Sequence, residues 1–389
     1  MPAAASLPVA EYRSRTARAQ QAMAAQGIAA LLLTSEPDVR YFTGFLTRFW
    51  ESPTRPWFLV LPATGVPVAV IPAIGAELMG QSWITDIRSW DAPDYADDGV
   101  GLLAETLVKL VPPGGRIGVP MGRESVLRMP LADWERLTLI LADRPRVDAS
   151  PLLRDLQMVK SEAEIALIRR ICDIGGRAFS RVPEVARPGV TLAQLFRCFQ
   201  GLLLEEGADW VSYLAGGAAQ GGYGDVISPA HDRPLTPGDL VMLDTGAVRH
   251  GYFCDFDRNW SVGPASEELR AAHRILWEAT ERAAEAARPG ARACDLHAAM
   301  LPLLARHNAG PVTGRLGHGL GMRLTEPPSL IPADETELRA GIVLTLEPSL
   351  VLGPGRMMVQ EENIVIREDR VEWLTPRAPQ DLPELEWGA

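Results

Sequence analysis

Carboxylates stand inside some of the most apolar segments of this chain, and any fold must accommodate them. Asp244 lies in the strand pattern LVMLDTGAV, Glu347 in LTLEPSL and Glu361 in VQEENIVI. A buried carboxylate is strongly destabilising unless a partner compensates its charge. A predicted turn at 249–251 would return the chain as YFCDFD, so Asp255 would lie near Asp244 on paired strands. Two adjacent carboxylates repel each other unless a cation lies between them.

A histidine flanked by glycines adds a nitrogen ligand to these acidic side chains. His318 lies in GHGLG, where small neighbours let the backbone come close. Each residue by itself also fits a buried ion pair, a hydrogen-bonded core carboxylate or, for His318, a polar residue in a turn. Four carboxylates and one imidazole together can hold two divalent ions, and Mn, Zn, Co and Fe all fit such ligands. The predicted ligands, which indicate metal-assisted chemistry on a small substrate, are Asp244, Asp255, His318, Glu347 and Glu361.

The composition limits the class of partner. A net charge of −11 disfavours nucleic acid and anionic membrane surfaces, which require a basic stripe, and favours a small ligand. No apolar run reaches the roughly 18 residues that cross a bilayer, and charged residues follow the apolar N-terminal start too soon for a signal peptide. The four cysteines are scattered without a CxxC spacing, which indicates reduced thiols. We therefore expect a cytoplasmic protein with no nucleic-acid or membrane partner.

Length and pattern predict two domains. A chain of 389 residues with 47% hydrophobic content is long for one core. In the first half, helical patterns such as that over 9–26 alternate with strand patterns, which predicts an α/β domain with a mixed sheet. A boundary is predicted near 151–160, and capping boxes at Ser161–Glu164 and Thr191–Gln194 then begin two helices. The second half repeats a helix-helix-strand-strand rhythm and is typical of an α+β domain with antiparallel sheet.

The ordered set of five ligands closely resembles the pita-bread metallopeptidase family, which includes aminopeptidase P, prolidase, methionine aminopeptidase and creatinase. The two aspartates lie 11 positions apart, the histidine lies in GHGLG, and LQMVKSEAEIALIR is similar to the usual entry to the catalytic domain. EPDVRYFTGF resembles a segment of the creatinase-type N-terminal domain. The resemblance implies an α+β chain, with a creatinase-type N-terminal α/β domain at 1–155 and a pita-bread catalytic domain at 156–389.

The resemblance also implies the role of each ligand. Asp244 and Asp255 would bind one metal ion, Asp255 and Glu361 would bridge the pair, and His318 and Glu347 would complete the other site. A water activated by both ions would be the nucleophile. The implied function is a dinuclear metal-dependent hydrolase that cleaves a C–N bond in a small molecule or short peptide, similar to an Xaa-Pro peptidase. A homodimer, whose N-terminal domain completes the partner's site, is implied as well.

The chain departs from the peptidases at two accessory histidine positions, which hold Ile227 and Thr325. His231 could reach the space of the first, or lie in a solvent-facing loop. Loss of both histidines, with every ligand kept, suggests an altered substrate or chemistry. The alternative is a non-peptide specialist: a hydrolase of an ectoine-like or guanidino compound, or a dimethylsulfoniopropionate-type lyase. A third reading, a non-catalytic binding module, would be marked by decayed ligands, and all five are present.

Further residues are candidates for catalysis. Asp257 stands where the family usually has threonine, and it could be an acceptor behind the ligands, a general base or the partner of Arg258. Glu326 keeps the glutamate of the family's "H-E" pair and is a candidate proton shuttle.

Other residues are candidates for binding substrate. Arg55, in RPW, resembles an "R-P-Y" arginine that reaches a neighbouring subunit's site, where it would clamp a substrate carboxylate. It could equally stack on Trp57 or Trp50. Thr325 and Tyr223 are expected to contact substrate, with Tyr223 and the glycines at 216–222 forming a mobile loop near the site.

Overall fold

The computed structural model describes residues 7–52 and 55–386. The chain divides into two compact units, Met1–Gln157 and Met158–Ala389. None of the helices in the described ranges is long and apolar enough to cross a membrane.

The first unit is built on a mixed sheet with the order β4-β3-β2-β1-β5-β6. β1 pairs antiparallel with β2 and parallel with β5, which confirms the predicted mixed sheet. The inward faces of these strands are apolar, and Leu32, Val60 and Val70 pack with Leu107 in one core. The strands are β1 (Ile28–Leu33), β2 (Phe58–Pro62), β3 (Val68–Pro72), β4 (Asp86–Trp90), β5 (Arg116–Val119) and β6 (Arg146–Asp148).

The first two helices of the first unit both end at a glycine. The first of them covers the predicted range and ends at Gly27, whose φ of 63° is the left-handed conformation that glycine adopts easily. The EPDVRYFTGF segment forms the second helix, capped by the Ser35 hydroxyl and ended by Gly44. The helices are α1 (Val9–Gln26), α2 (Glu36–Thr43), α3 (Ala76–Gly80), α4 (Val100–Leu110), α5 (Leu131–Ile140) and α6 (Ser150–Met158).

The second unit contains largely antiparallel sheets. One sheet has the strand order β18-β10-β8-β7, and β9 pairs with β8 at its side. A second sheet has the order β12-β11-β13-β16-β17, and a third consists of β14 and β15. The strands are β7 (Trp210–Gln220), β8 (Asp239–Arg249), β9 (Tyr252–Phe253), β10 (Phe256–Val262), β11 (His318–Gly319), β12 (Glu326–Ser329), β13 (Val343–Leu346), β14 (Ser349–Gly353), β15 (Arg356–Val359), β16 (Glu362–Ile366), β17 (Val371–Trp373) and β18 (Glu384–Leu385).

Both predicted capping boxes form in the second unit. The Ser161 backbone N–H donates to Glu164 Oε2 at 3.0 Å, and the Glu164 N–H donates to Ser161 Oγ at 3.3 Å. The equivalent bonds between Thr191 and Gln194 are 2.9 and 3.2 Å long. These reciprocal bonds satisfy donors that a helix N-terminus leaves free. The helices are α7 (Glu162–Ser180), α8 (Val182–Val185), α9 (Leu192–Glu205), α10 (Glu267–Ala286) and α11 (Ala293–His307).

The glycine-rich segment predicted as a mobile loop is mostly strand, so that prediction is wrong. Gly216 and Gly217 lie inside β7. A Cβ at Gly216 would meet the Met242 carbonyl oxygen at 2.2 Å, and one at Gly217 would meet the Tyr223 Cβ at 2.5 Å. The glycines therefore allow neighbouring groups to approach the strand closely, which is a packing reason for their presence.

Candidate metal centre

Three of the predicted ligands converge in the second unit. Asp255, His318 and Glu361 are buried and offer ligand atoms that all lie within 4.8 Å of one another. The His318 Nε2 lies 3.5 Å from Asp255 Oδ2. Asp255 directly precedes β10, His318 begins β11 and Glu361 directly precedes β16. Strand ends that are distant in sequence thus place these side chains together.

The other two predicted ligands act on the same cluster electrostatically. Burial and the charge of Glu347 raise the pKa of Asp244 to about 8. Burial raises the pKa of Glu347 to about 7, against the opposing effect of Arg315. Burial, Asp244 and Glu347 raise the pKa of Asp255 well above its ordinary range. Buried carboxylates repel one another, and a bound cation would relieve that repulsion.

His318 has the protonation state of a metal ligand. Its Nδ1 lies 2.9 Å from the Gly319 carbonyl oxygen. A carbonyl oxygen can only accept, so we assign the ring proton to Nδ1 and the lone pair to Nε2. Burial lowers the pKa of His318 to about 4, so the imidazole is neutral at pH 7. Neutral imidazole, oriented by a hydrogen bond from its second nitrogen, is the form that binds metals.

Unpartnered oxygens provide a direct test of whether the cluster fits metal ions. Asp244 Oδ1 and Glu361 Oε1 are buried and have no hydrogen-bond partner. Buried carboxylate oxygens are normally paired or bound to a metal. The donor set of carboxylate oxygens and one imidazole nitrogen matches the preferences of Mn, Zn, Co and Fe. The residues present therefore fit divalent metal ions.

Asp257 supports a member of the cluster. Its Oδ1 accepts the Glu361 backbone N–H at 2.6 Å, and its Oδ2 accepts from Asn259 Nδ2 at 3.2 Å. Arg258 pairs instead with Glu362, at 3.1 Å, and donates to the backbone carbonyl of Asp257. Of the three possibilities left open from sequence, this geometry matches an acceptor that positions Glu361.

Glu326 is held as a carboxylate by a buried ion pair. Lys160 Nζ lies 2.7 Å from its Oε2, and the backbone N–H groups of Met322 and Arg323 donate to its Oε1 at 3.0 and 3.1 Å. Burial raises the pKa of Glu326, but the charges of Lys160 and Arg323 and these hydrogen bonds bring it below its ordinary value. The contacts favour an anchoring role over the predicted proton shuttle.

The remaining predicted site residues of the second unit lie in varied surroundings. Thr325 is half-buried, and its Oγ1 accepts from Arg315 at 3.4 Å. His231 and Ile227 are exposed. Tyr223 is buried, and its hydroxyl donates to Asn259 Oδ1 at 3.2 Å and accepts the Val359 N–H at 2.7 Å. These bonds fix Tyr223 in the interior, which contradicts its prediction as part of a mobile loop.

Arg55 lies in the first unit, where its side chain is half-buried. Its guanidinium lies over the Phe49 ring, 5.1 Å from the centroid, and its carbonyl oxygen accepts from Arg128 at 3.1 Å. Arg128, not Arg55, lies over Trp50. The stacking expected of Arg55 therefore occurs on a different ring from the two that sequence suggested.

Sequence reasoning missed two residues beside the cluster. Burial and the charges of Asp244, Asp255 and the two ligand glutamates raise the pKa of Tyr213. Its hydroxyl donates to the Val226 carbonyl oxygen at 3.1 Å. Arg315 is the second, because its charge lowers the pKa of Asp255. The strand alternation of WVSYLAGG offered a signal for Tyr213, whereas Arg315 stands in a loop with no such pattern.

Comparison with known families finds two matching models. Metallopeptidase family M24 matches residues 166–368, and the Creatinase/Prolidase N-terminal domain matches residues 15–159. The first match contains all five residues predicted as ligands.

Individual relatives align over nearly the whole chain. "Probable dipeptidase PepE" of Mycobacterium bovis is 32% identical over 362 residues, covering 91% of this chain and 92% of that protein. The "Agropine synthesis cyclase" of Rhizobium rhizogenes is 28% identical over 388 residues, covering 94% and 96%. The crystal structure of dipeptidase PepE from Mycobacterium ulcerans has a TM-score of 0.82 and 30% identity, covering 97% of this chain and 99% of that chain.

Proposed function

Because this chain belongs to metallopeptidase family M24 and carries a creatinase/prolidase N-terminal domain, we propose that it is a dinuclear metal-dependent hydrolase that cleaves the C–N bond of a dipeptide. The family membership confirms the predicted creatinase-type and pita-bread domains and the prediction of an enzyme of the hydrolase class. The number of ions, the substrate and the residue roles below are proposals.

The five acidic and imidazole side chains would hold the ions. Asp244 and Asp255 would bind one, His318 and Glu347 the other, and Asp255 and Glu361 both. When bound, the ions would supply Lewis-acid polarisation of a carbonyl and a lowered pKa for water.

Three neighbours would keep those ligands in place. Asp257 fixes the backbone beside Glu361, the Gly319 carbonyl fixes the His318 ring, and Tyr213 lies beside the carboxylates. Groups that hydrogen-bond to metal ligands orient those ligands and tune their basicity.

One observation carries the proposal: buried carboxylates of the predicted ligand set have unpartnered oxygens, and the histidine of the same set is neutral and oriented. A cluster with only a structural role would be expected to pair these charges internally, as Arg258 and Glu362 do. The relative named a dipeptidase supports a dipeptide as the first substrate class to test.

A substrate screen tests the proposed reaction. Xaa-Pro and other dipeptides would be incubated with the purified chain loaded with Mn, Zn, Co or Fe, and product amino acids would be quantified. We expect dipeptide turnover that stops with a chelator and returns with metal. Turnover unaffected by the chelator would refute the metal mechanism, and absence of any dipeptide turnover would refute the peptidase assignment.

A non-peptide specialist is the second candidate. Ile227 is 79% exposed and Thr325 carries a hydroxyl at the positions where the peptidases have histidines. A relative of similar length is named a cyclase and not a peptidase. Faster turnover of a betaine, ectoine or guanidino compound than of every dipeptide would support this candidate over the first.

We also propose a cytoplasmic location and a homodimer. All four cysteines are free thiols, which supports a reducing compartment. The homodimer rests on the family resemblance, and analytical ultracentrifugation tests it through the mass of the particle.

A further inference from the structure

A cavity of about 230 Å³ lies in the second unit, walled by the end of α7, by β10, by α10 and by the segment 376–383. Phe179, Trp260, Pro376 and Pro379 contribute apolar surface to its walls. An apolar cavity of about 150 Å³ can hold benzene, so this one has room for a six-membered ring with substituents. None of the five predicted metal ligands is among the described residues that line it. The cavity is therefore a site separate from the cluster.

Gln360 lines the cavity, and its side-chain amide has no partner. The residue is 1% exposed, and across residues 7–52 and 55–386 neither its Oε1 nor its Nε2 has a hydrogen-bond partner. Buried polar side-chain atoms are normally hydrogen-bonded, because an unpartnered one keeps the full cost of leaving water. The Gln360 backbone is fixed, since its N–H donates to the Pro348 carbonyl oxygen at 3.1 Å. The amide thus offers a donor and an acceptor side by side.

His273 adds a second unpartnered group to the same cavity. The residue is buried on α10, and its Nε2 lies 2.9 Å from the Pro379 carbonyl oxygen. That oxygen can only accept, so we assign the ring proton to Nε2. Nδ1 then carries a lone pair, and it has no hydrogen-bond partner within the described part of the chain. A ligand N–H can therefore donate to His273 Nδ1.

The charged side chains that line the cavity already have partners. Arg258 and Arg377 both pair with Glu362, at 3.1 and 3.2 Å. Both carboxylate oxygens of Asp257 accept hydrogen bonds. Because the unpartnered groups of the cavity are a neutral amide and an imidazole nitrogen, they favour a neutral ligand over an ion.

We propose that this cavity binds a small, neutral, planar ring compound that carries an N–H donor beside a carbonyl acceptor, as cyclic amides and nucleobases do. Such an edge matches the Gln360 amide through two parallel hydrogen bonds, as a glutamine side chain matches the edge of a base. A second N–H on the ring would donate to His273 Nδ1. Apolar and aromatic walls around a few polar groups are typical of a small-molecule site. The inference goes beyond the proposed function and does not depend on it.

Uracil and its dimethyl derivative, methylated on both ring nitrogens, are matched probes for this site. Methylation removes the N–H donors and keeps the planar ring and its carbonyl groups. Each probe would be titrated into the metal-loaded full chain, and binding would be followed by saturation-transfer NMR. We expect a Kd of about 0.1 to 1 mM for uracil, the range for so small a ligand, and binding of dimethyluracil at least about 10-fold weaker.

Two variants assign the binding to the cavity. Gln360→Met keeps an unbranched side chain and removes the amide, so it should weaken uracil binding about 10-fold or more and bind both probes alike. Ser180→Trp, at an exposed position at the end of α7, should block the cavity and abolish uracil binding. Ser14→Trp, at an exposed position of α1, is its matched control. The Tm and metal content of each variant would be compared with the wild type, and Ser180→Trp decides the test if Gln360→Met does not fold.

Three results would overturn the inference. Undetectable binding in a saturated uracil solution would mean that the cavity holds only water. A preference for uracil that persists in Gln360→Met, or equal affinity of the wild type for both probes, would show that the amide does not recognise the ring. Uracil affinity unchanged in Ser180→Trp would place the binding elsewhere on the protein, the metal centre included.

Discussion

Replacing Lys160 with methionine tests the buried ion pair that joins the start of the second unit to β12. Methionine keeps an unbranched apolar side chain but removes the ammonium, which lies 2.7 Å from Glu326 Oε2. The side chains of Lys160 and Glu326 are 2% and 5% exposed, so water cannot replace the lost partner well. Glu326 would keep the Met322 and Arg323 backbone donors on its other oxygen and the charge of Arg323.

Breaking one side of a buried pair destabilises a protein by about 3 to 5 kcal/mol. For a unit of this size, about 2 to 4 °C per kcal/mol gives a fall in Tm of about 6 to 20 °C. Differential scanning calorimetry at pH 7 measures that fall. Lys109→Met makes the same chemical change at an exposed residue of α4, the chain's other lysine, and should change the stability by less than about 0.5 kcal/mol.

The pH dependence adds a second readout with a defined sign. In the wild type the folded-state pKa of Glu326 is lowered, so its contribution to stability is present above the unfolded pKa of about 4.3 and is lost as pH falls through the lower folded value. Without Lys160, the pKa of Glu326 loses its largest lowering influence and rises above the wild-type value, although Arg323 still opposes the effect of burial. The destabilisation grows as Glu326 ionises, so the Tm difference between wild type and variant should be larger at pH 7 than at a pH low enough to protonate Glu326.

The double variant Lys160→Met/Glu326→Gln completes the test. Removing both charges should recover much of the lost stability, because no uncompensated carboxylate remains buried. A Lys160→Met variant within about 1 kcal/mol of the wild type, or a Tm difference independent of pH, would refute the reasoning. Activity in the stable double variant would also exclude Glu326 as an essential proton shuttle.

Three further predictions concern the site and its surroundings. Asp257→Ala, which leaves the Glu361 N–H without its acceptor, should weaken metal binding about 10- to 100-fold in a chelator competition titration. Asp225→Ala, at an exposed position, is its control. An unchanged metal affinity in Asp257→Ala would contradict the positioning role. Thr325→His should increase hydrolysis of Xaa-Pro dipeptides if the rest of the peptide-binding surface is kept, and no gain in kcat/KM would indicate wider divergence. Burial lowers the pKa of His273, so the contribution of the neutral imidazole to stability should be lost as pH falls below 6.5. His273→Gln should therefore flatten the dependence of Tm on pH between pH 7 and 5. An unchanged slope in the variant would exclude His273 as the cause of that dependence.

Local patterns predicted the elements well where one segment determines its own structure. The capping boxes at Ser161 and Thr191 form as expected, because their partners lie three residues away. The apolar run around Asp244 predicted β8, since a central strand buries both of its faces. In these cases the residues that determine the structure of a segment lie within that segment.

Local sequence patterns could not predict contacts between residues that are distant in the sequence. The Lys160–Glu326 pair joins residues 166 positions apart, and nothing local to either residue selects the other. The glycines of β7 were misread as a loop, because the Tyr223 ring and the Met242 carbonyl that need their space come from other segments. Arg315 went unnoticed for a related reason, since its effect on the cluster depends on the fold around it.

The metal content of the purified chain, measured together with hydrolytic activity on the same samples, tests the central claim most directly. After reconstitution we predict two divalent ions per wild-type chain by mass spectrometry. Asp255→Ala should lose both metal and activity, because Asp255 belongs to the convergent cluster and is proposed to contact both ions. A wild-type chain that binds no divalent ion, yet hydrolyses its substrate equally well in the presence of a chelator, would contradict the account.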